Sequence, residues 1–372
     1  MPVVDILYSY YYDEEGKNPK VGGVQTYISR LAELFDELGF KTRIFQYANK
    51  AFHIDLNDSV ELMGVPVQGK PKNKLRELLK AALNSRENDK YLTLFAADTL
   101  IPDMKVENSI AIQHGIFWDI PKNRKETLLR SFISKSITSY KIIKKISNVD
   151  KVVCVDNNFI NWYRTQLWER NVEFIPILNF TCVPNKSEIK KADDRVNIVF
   201  ARRFVDYRGT KLFAEAAKKI LCDYENVYIT FAGEGPDKEY ISDMFKDNNH
   251  VNITKYSFDK SVEFHKEFHI AVVPTIGSEG TSLSLLEAMA AKCAVVCTNV
   301  GGMTDIVING YNGLMINAGD VQQLYIAIKK LIDDKVLAER ISENGYETVR
   351  QAFFYDRWAE QWKKVLKDGM VL

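Results

Sequence analysis

The chain has 372 residues, of which 46% are hydrophobic and 27% charged, and these proportions exclude a disordered protein. Fifty lysines and arginines against 49 aspartates and glutamates leave a formal net charge of +1, so no chain-wide field favours nucleic acid as a partner. The length exceeds one ordinary core and suits two domains.

Targeting signals and cysteines bear on location. The first residues lack a basic stretch followed by a long apolar run, so we expect no signal peptide. No segment reaches the roughly 18 apolar residues of a membrane span. Nothing near Cys293 and Cys297 completes a zinc set, and an odd total of five cysteines favours buried, reduced thiols. We therefore expect a cytoplasmic protein, either free or peripheral on the inner face of the membrane.

The first half of the chain alternates predicted strands and helices. Its predicted strands cover residues 3–8, 42–47 and 109–113. Gly22 and Gly23 open a predicted helix whose apolar residues recur at three- and four-residue intervals, and Gly39 ends it. Strand, helix and strand in this order imply parallel pairing.

The same alternation begins again near residue 196. Predicted strands cover residues 196–201, 227–232, 269–274, 294–298 and 313–316, with a helix over 210–221. Pro176, Pro184 and the polar run 185–194 predict a linker between the halves. The predicted divisions are an N-terminal domain of residues 1–184, a C-terminal domain of 185–352 and a closing helix of 353–372 that packs back on the N-terminal domain. Two doubly wound α/β domains follow, with ligands expected at the carboxyl ends of their strands.

The most informative segment is PTIGSEGTSLSLLEAMA, residues 274–290. A strand ends at Pro274, and a helix is expected to begin near Gly280, where free backbone N–H groups and the positive end of the dipole suit a phosphate. The candidate phosphate-binding residues are Gly280, Thr281 and Ser282. Glu279 and Glu287 would then lie on one side of that helix and hold hydroxyls of an extended ligand. The alternative is a capping carboxylate and an unrelated surface glutamate.

This segment, followed by Val300-Gly301-Gly302, resembles the family-four retaining glycosyltransferases (glycosyl transferases group 1) of GT-B fold. The resemblance is strong over residues 196–320 and weaker over 1–180. It implies two Rossmann-like doubly wound domains facing a central cleft, a donor sugar on UDP or GDP, and no cofactor or metal. In that family the first glutamate contacts the donor sugar and the second the ribose, roles that fall on Glu279 and Glu287. The chain has no Asp-x-Asp pair, as metal-independent transfer requires none.

The family also carries Gly-Arg-Leu followed by Lys-Gly after the first strand of its second domain. The corresponding stretch here is ARRFVDYRG, residues 201–209. Arg203 matches the family arginine and Arg208 stands where lysine is usual, and the resemblance assigns both to the donor diphosphate. Arg202 replaces the glycine. Arginine keeps the charge of lysine but adds a bidentate fork, so the geometry is expected to differ. The alternative is that these arginines are solvated surface charges.

Candidate residues also occur in the first half. Gly22 and Gly23 match the glycine loop through which the family's backbone approaches the donor phosphate and the acceptor. His114 follows a predicted strand, where the family often has a cleft histidine, although a structural role is the alternative. Asn179 corresponds to an asparagine that precedes the family's linker. The turn 233–236 resembles the family's Gly-x-Gly-Pro turn and is interpreted as structural.

Residues 122–151 form a basic stretch with a local net charge of +7 and interleaved apolar residues. Such a segment suggests contact with an anionic membrane surface, where a lipid-linked acceptor would lie. The alternative is that its apolar face packs in the core and its lysines are merely solvated.

These observations predict a retaining glycosyltransferase that moves a hexose-type sugar to a saccharide or lipid-linked saccharide, in cell-surface polysaccharide or glycolipid synthesis. A nucleotide-sugar epimerase of the same fold and a non-catalytic sugar-nucleotide-binding protein are the alternatives. A nicotinamide dehydrogenase is disfavoured because Lys238 takes the place of the last glycine in Gly-x-Gly-x-x-Gly.

Overall fold

The computed structural model describes residues 2–20, 22–86, 90–121, 126–166, 172–191 and 195–367. The chain forms two compact units. The first unit comprises Met1–His114, Thr127–Ile177 and Ala359–Leu372, and the second comprises Gly115–Glu126 and Leu178–Trp358. Each unit is built around one β-sheet.

The first unit has eight strands: β1 (Val3–Leu7), β2 (Lys41–Ala48), β3 (Phe52–Asp55), β4 (Val60–Pro66), β5 (Tyr91–Phe95), β6 (Ser109–Gln113), β7 (Lys151–Cys154) and β8 (Glu173–Pro176). Its helices are α1 (Gly23–Glu37), α2 (Pro71–Asn84), α3 (Leu128–Ile146) and α4 (Asn157–Gln166). The sheet order is β3-β4-β2-β1-β5-β6-β7-β8, and every pair is parallel except β3 with β4. In the register, Val3 lies opposite Lys41 on one side and Tyr91 on the other.

Helix α1 shows how the sequence pattern produces this packing. Its apolar residues fall at three- and four-residue intervals, and the structure buries them: Tyr27, Ile28, Leu31, Leu34 and Phe35. Gly39 follows with a φ of +78°, a left-handed conformation that ends the helix. Strands β1, β5 and β6 are buried along their whole length, as expected of parallel strands covered on both faces.

The second unit has six parallel strands: β9 (Val196–Ala201), β10 (Val227–Ala232), β11 (Val251–Thr254), β12 (Ile270–Val273), β13 (Ala294–Thr298) and β14 (Leu314–Ile316). The helices are α5 (Thr210–Asp223), α6 (Lys238–Phe245), α7 (Ser261–His265), α8 (Leu283–Ala290), α9 (Val321–Asp333) and α10 (Lys335–Ala352). The last helix, α11 (Tyr355–Lys367), begins in this unit and ends in the first. The sheet order is β11-β10-β9-β12-β13-β14, so the predicted strands and their parallel pairing are confirmed.

The core of the second unit lies on both faces of its sheet. On one face, Phe200 of β9 stacks on Phe213 of α5 with ring centroids 5.7 Å apart, and Phe231 of β10 joins them. On the other face, Val199 packs with Met289 of α8. Adjacent strand residues therefore feed opposite layers, as the two-residue repeat of a strand requires. The unit is a doubly wound sheet whose order reverses between β9 and β12.

The structure corrects several expectations. Within the segment 274–290, the helix begins at Leu283 and not near Gly280. Residues 274–282 form the loop that precedes it. Of the five free cysteines, Cys182 and Cys222 are exposed and not buried.

Among the described residues, no helix combines the length and apolar character that crossing a membrane requires.

The basic stretch 122–151 is less uniform than its sequence suggests. Residues 122–125 lie outside the described residues. Lys151 is buried and pairs with Glu173, so it belongs to no solvated face. Most of the apolar side chains of α3 are exposed, and its buried residues are Ser131, Ile142 and Ile146, so most of this apolar face does not pack in the core.

Candidate functional site

The candidate site lies where the strand order of the second unit reverses. Strands β9 and β12 are parallel neighbours, with Ile198 opposite Ile270. The loop of residues 202–209 leaves the carboxyl end of β9, and the loop of residues 274–282 leaves the carboxyl end of β12. Connections from two neighbouring strands diverge to opposite faces at such a point, which leaves a crevice between them. The candidate residues of the second unit lie in or directly after these two loops.

Glu279 is the centre of a buried charge cluster. Its Oε2 accepts hydrogen bonds from Arg202 Nη2 at 2.7 Å, from Thr275 Oγ1 at 3.0 Å and from Arg208 Nη1. The side chains of Glu279 and Arg202 are 9% and 7% exposed, whereas that of Arg208 is 24% exposed. No described residue bonds to Oε1 of Glu279. The three donors therefore fix the carboxylate and leave one oxygen for a ligand.

The electrostatics keep Glu279 ionised. Burial by itself raises the pKa of this carboxyl group, but the guanidiniums of Arg202 and Arg208 outweigh it and hold the pKa below its usual value. One carboxylate and two guanidiniums leave an excess positive charge. A buried cluster of this sign stabilises an anion that enters the crevice.

Glu287 lies on α8 and has the opposite behaviour. It is buried and accepts a hydrogen bond from Ser261 Oγ at 2.5 Å. Burial raises the pKa of Glu287 to about 7, although the Ser261 bond and the charge of Arg202 oppose the rise. Because Glu279 lies in the loop before α8, the expectation that both glutamates lie on one side of one helix is wrong. Instead, Arg202 acts electrostatically on both carboxyl groups.

The start of α8 is open to an anion. Ser282 is its N-cap residue, but the Ser282 side chain makes no capping hydrogen bond. The N–H groups of Leu283 and Ser284 in the first turn therefore keep their donor capacity. Asn179 donates from Nδ2 to the Thr281 carbonyl at 2.8 Å, and its buried Oδ1 has no partner among the described residues. Free N–H groups and an unpaired amide oxygen thus adjoin one helix start.

Two glycines fix the loop that carries Glu279. Gly301 has a φ of +53°, and a Cβ there would lie 1.9 Å from the Glu279 carbonyl oxygen. Gly115 has a φ of +99°, and a Cβ there would lie 2.8 Å from the Gly280 nitrogen. Both positions combine a left-handed backbone with a contact that excludes any side chain. Gly115 thus contacts the loop that carries Glu279 within the second unit.

The two adjacent arginines after β9 have different surroundings. The side chain of Arg202 is 7% exposed and bonds to Glu279, whereas Arg203 is exposed and does not contact that carboxylate. The family resemblance in the sequence identified Arg202 only as a departure from glycine and gave no sign that it pairs with Glu279. Side chains that leave an extended segment alternate between its two sides, so only one of two adjacent arginines can point inward. The backbone of Arg202 is held in turn by the glycine turn after β10, since a Cβ on Gly233 would lie 2.0 Å from the Arg202 carbonyl oxygen.

The comparison with protein families agrees with this geometry. Residues 184–348 match the family model described as Glycosyl transferases group 1. The second unit is a group 1 glycosyltransferase domain.

Two curated relatives also resemble the chain. The uncharacterised glycosyltransferase MJ1178 of Methanocaldococcus jannaschii is 30% identical over 204 residues, which cover 54% of this chain and 55% of that protein. The capsular polysaccharide biosynthesis glycosyltransferase CapM of Staphylococcus aureus is 29% identical over 168 residues, 44% of either chain. The chain thus spans about half the length of the relatives that it matches.

Solved structures extend the similarity to the whole chain. Sucrose-phosphate synthase from Thermosynechococcus elongatus superposes with a TM-score of 0.77 at 16% identity, over 99% of this chain and 98% of that one. At this identity the likeness concerns the fold alone, and it shows that this chain has the GT-B fold.

Outside the group 1 domain, the first unit carries the other candidate residues. His114 Nε2 lies 2.9 Å from the Ala96 carbonyl oxygen. Because a carbonyl only accepts, Nε2 carries the proton and Nδ1 is left as an acceptor. Burial lowers the pKa of His114 to about 4, against the effect of the Ala96 bond, so the imidazole is neutral at pH 7.

The glycine pair is linked to His114 through α1. The His114 ring packs edge-on against Tyr27 of α1, with ring centroids 5.3 Å apart. Gly22 and Gly23 lie at the start of this helix. A Cβ on Gly23 would meet nothing within 4 Å among the described residues, so the fold does not require glycine there and space is left for a ligand.

One group of side chains in the described part of the chain is close enough to share a cation. It consists of His53, Asp55 and Glu61 on the β3–β4 hairpin of the first unit. Glu61 already pairs with Lys41, and the other two side chains are exposed. The group lies at an edge of the sheet, where solvated charges are common, and no candidate site residue belongs to it.

Proposed function

We propose that this chain is a retaining glycosyltransferase that moves a hexose-type sugar from a UDP- or GDP-linked donor to a saccharide or lipid-linked saccharide acceptor. The family match and the similarity to CapM, whose name refers to capsular polysaccharide biosynthesis, favour a role in cell-surface polysaccharide or glycolipid synthesis. The observation that carries the proposal is the Glu279 carboxylate, held by two guanidiniums where the sheet order reverses.

In the proposed reaction an acceptor oxygen attacks the anomeric carbon on the face from which the diphosphate leaves, so the configuration is retained. The bond from that carbon to the diphosphate oxygen breaks, and the acceptor's proton passes to the departing diphosphate. Negative charge then develops on the leaving diphosphate. Arg208 and Arg203, which are the more exposed arginines, and the N–H groups at the start of α8 stabilise this charge. Gly280, Thr281 and Ser282 shape the approach to that helix start. In this proposal the guanidinium groups of Arg203 and Arg208 supply the positive charge that a metal ion would otherwise supply.

The remaining candidate residues position the donor. Glu279 Oε1 accepts a hydrogen bond from a sugar hydroxyl, since Oε2 already accepts hydrogen bonds from three donors. Glu287 binds the ribose, and Gly22 and Gly23 admit the donor phosphate and the acceptor. His114 binds a hydroxyl of the reacting sugar through its neutral Nδ1, the role that we assign to it in catalysis.

Replacement of Glu279 tests this assignment. Glu279→Gln keeps the size of the side chain but loses the charge that holds the sugar hydroxyl. We expect kcat/KM for transfer to fall by about a hundredfold, while the affinity for free nucleoside diphosphate changes by less than about threefold. Glu225→Gln, at an exposed position of the same unit, is the control and should change neither. Equal loss of diphosphate affinity and transfer would show that Glu279 binds the nucleotide and not the sugar.

Product analysis separates the alternative functions. The purified protein is incubated with UDP- and GDP-sugars in a chelating buffer, with and without saccharide acceptors. Transfer with retained anomeric configuration supports the proposal, and an epimer formed from donor alone identifies an epimerase. Tight binding of a nucleotide sugar with neither product identifies a binding protein, and activity only on addition of a divalent cation refutes the metal-independent reaction.

A further inference from the structure

Helix α3 of the first unit displays an unusual number of apolar side chains. Fourteen large apolar side chains are exposed among the described residues, and six of them belong to this helix. They are 47% to 76% exposed: Leu128, Leu129, Phe132, Ile133, Ile137 and Tyr140. Contiguous apolar surface of this kind is rare on a protein that has no partner for it.

The exposed apolar side chains share one side of the helix. At 100° per residue, the five from Leu129 to Tyr140 fall within an arc of about 140°. The buried residues Ser131, Ile142 and Ile146 lie on the neighbouring arc, which faces the first unit. The helix is therefore anchored by one stripe and presents a second apolar stripe to solvent.

Positive charge accompanies this stripe. Helix α3 contains five basic residues and no acidic residue. Arg130, Lys141 and Lys144 are exposed and follow one edge of the apolar arc. Lys145 turns instead toward Asp103, 3.6 Å away. A helix with an apolar arc bordered by lysine and arginine is the form that lies in the interface of an anionic bilayer, with the long basic side chains reaching the phosphates.

We propose that α3 docks this protein on an anionic lipid bilayer. The side chains from Leu129 to Tyr140 enter the boundary between headgroups and acyl chains, and Arg130, Lys141 and Lys144 contact the lipid phosphates. A second copy of the chain fits this surface less well, because a two-fold contact would place the helix against itself and bring together the basic edges formed by Arg130, Lys141 and Lys144. The proposal rests on the first unit alone and does not depend on the proposed transfer reaction.

Co-sedimentation with vesicles tests the proposal on the full chain. We expect binding to phosphatidylcholine vesicles that contain phosphatidylglycerol, little binding to phosphatidylcholine alone, and release as salt rises. The combined variant Leu129→Ser/Ile133→Ser/Ile137→Ser should lose at least about tenfold in partitioning. Val336→Ser, which alters a 78% exposed apolar residue of α10, should bind like the natural protein.

A charge variant and a size measurement complete the test. Arg130→Gln/Lys141→Gln/Lys144→Gln should bind anionic vesicles more weakly and with a smaller salt dependence. Thermal unfolding of each variant checks that the altered surface residues leave the fold intact. Equal partitioning of the triple serine variant and the natural protein would overturn the proposal. So would light scattering that shows a dimer which the serine substitutions dissociate, since a second copy would then cover α3.

Discussion

Glu279 and Glu287 are both buried carboxyl groups of the second unit, yet folding moves their pKa values in opposite directions. Burial raises both, and what differs is the number of charged partners. Glu279 bonds to two guanidiniums, which keep it ionised, whereas Glu287 bonds to the neutral hydroxyl of Ser261 and titrates at about 7. A difference of this kind suits the two roles proposed above: a fixed charge for the sugar at Glu279, and a group able to donate or accept a hydrogen bond for the ribose at Glu287.

The raised pKa of Glu287 predicts how stability depends on pH. The folded value of about 7 exceeds the usual 4.5, so between these values the native state binds more protons than the unfolded state. Stability from this group is complete below pH 4.5 and is lost as pH rises through 7. The side chain of Glu287→Gln stays neutral, so this variant does not lose that stability. Between about pH 5 and about pH 8, the unfolding free energy of the variant should rise by about 3 kcal/mol relative to that of the natural protein.

Urea unfolding of both proteins across this range measures the difference. Glu225→Gln, at an exposed site, should follow the natural protein at every pH. Parallel pH profiles for Glu287→Gln and the natural protein would show that Glu287 remains ionised when folded.

At the scale of elements, the loop between β12 and α8 depends on its neighbours for its shape. The backbone of Glu279 and Gly280 is approached by Gly301 and by Gly115, so segments more than 20 and more than 160 residues away determine where the Glu279 side chain points. Thr298 Oγ1 adds a hydrogen bond of 2.5 Å to the Thr275 carbonyl. A loop held in this way is preorganised, so a ligand that binds there need not order its side chains.

A pair of glycine substitutions separates close contact from backbone strain. Gly301→Ala and Gly310→Ala both place alanine at a positive φ, but only at Gly301 would the new Cβ overlap another backbone. We expect Gly310→Ala to cost about 1 kcal/mol of unfolding free energy, and Gly301→Ala at least about 2 kcal/mol more. Gly301→Ala should also weaken donor binding, as measured by titration calorimetry. Equal costs for the two variants would mean that the loop moves freely away from Gly301.

At the scale of the molecule, the end of the chain completes both units. Trp358, in the second unit, packs on Phe180 with ring centroids 4.8 Å apart. One turn later Trp362 belongs to the first unit, where its Nε1 donates to the Tyr27 hydroxyl at 3.0 Å. Both tryptophans are buried. The first unit is thus completed by residues that lie 335 positions from their partner on α1.

Loss of Trp362 should therefore destabilise the first unit. Trp362→Ala removes a fully buried indole and leaves a cavity, and we expect it to lower the unfolding free energy by about 3 to 5 kcal/mol. Hydrogen exchange should increase in α1 and β1. Lys364→Ala, an exposed position on the same helix, should cost less than about 0.5 kcal/mol. Unchanged exchange in α1 after Trp362→Ala would show that the first unit folds without the last helix.

The sequence by itself determined eight of the strands, helices α1 and α5 and the doubly wound arrangement. It did so because side-chain periodicity along a strand or helix is a local property that burial on one or two faces imposes directly. It also identified the segment of Glu279 and Glu287, because the two glutamates are only eight positions apart in the chain and their spacing is visible in the sequence. These features need only residues close together in the chain.

Only the tertiary structure decided which groups meet. It selected Arg202 over Arg203 as the partner of Glu279, placed the start of α8 at Leu283 and left the apolar stripe of α3 exposed. Each of these outcomes depends on contacts between segments far apart in sequence, such as the approach of Gly115 and Gly301 to one loop. The pKa values of both glutamates follow from the same contacts, because burial and charged partners exist only after the chain has folded.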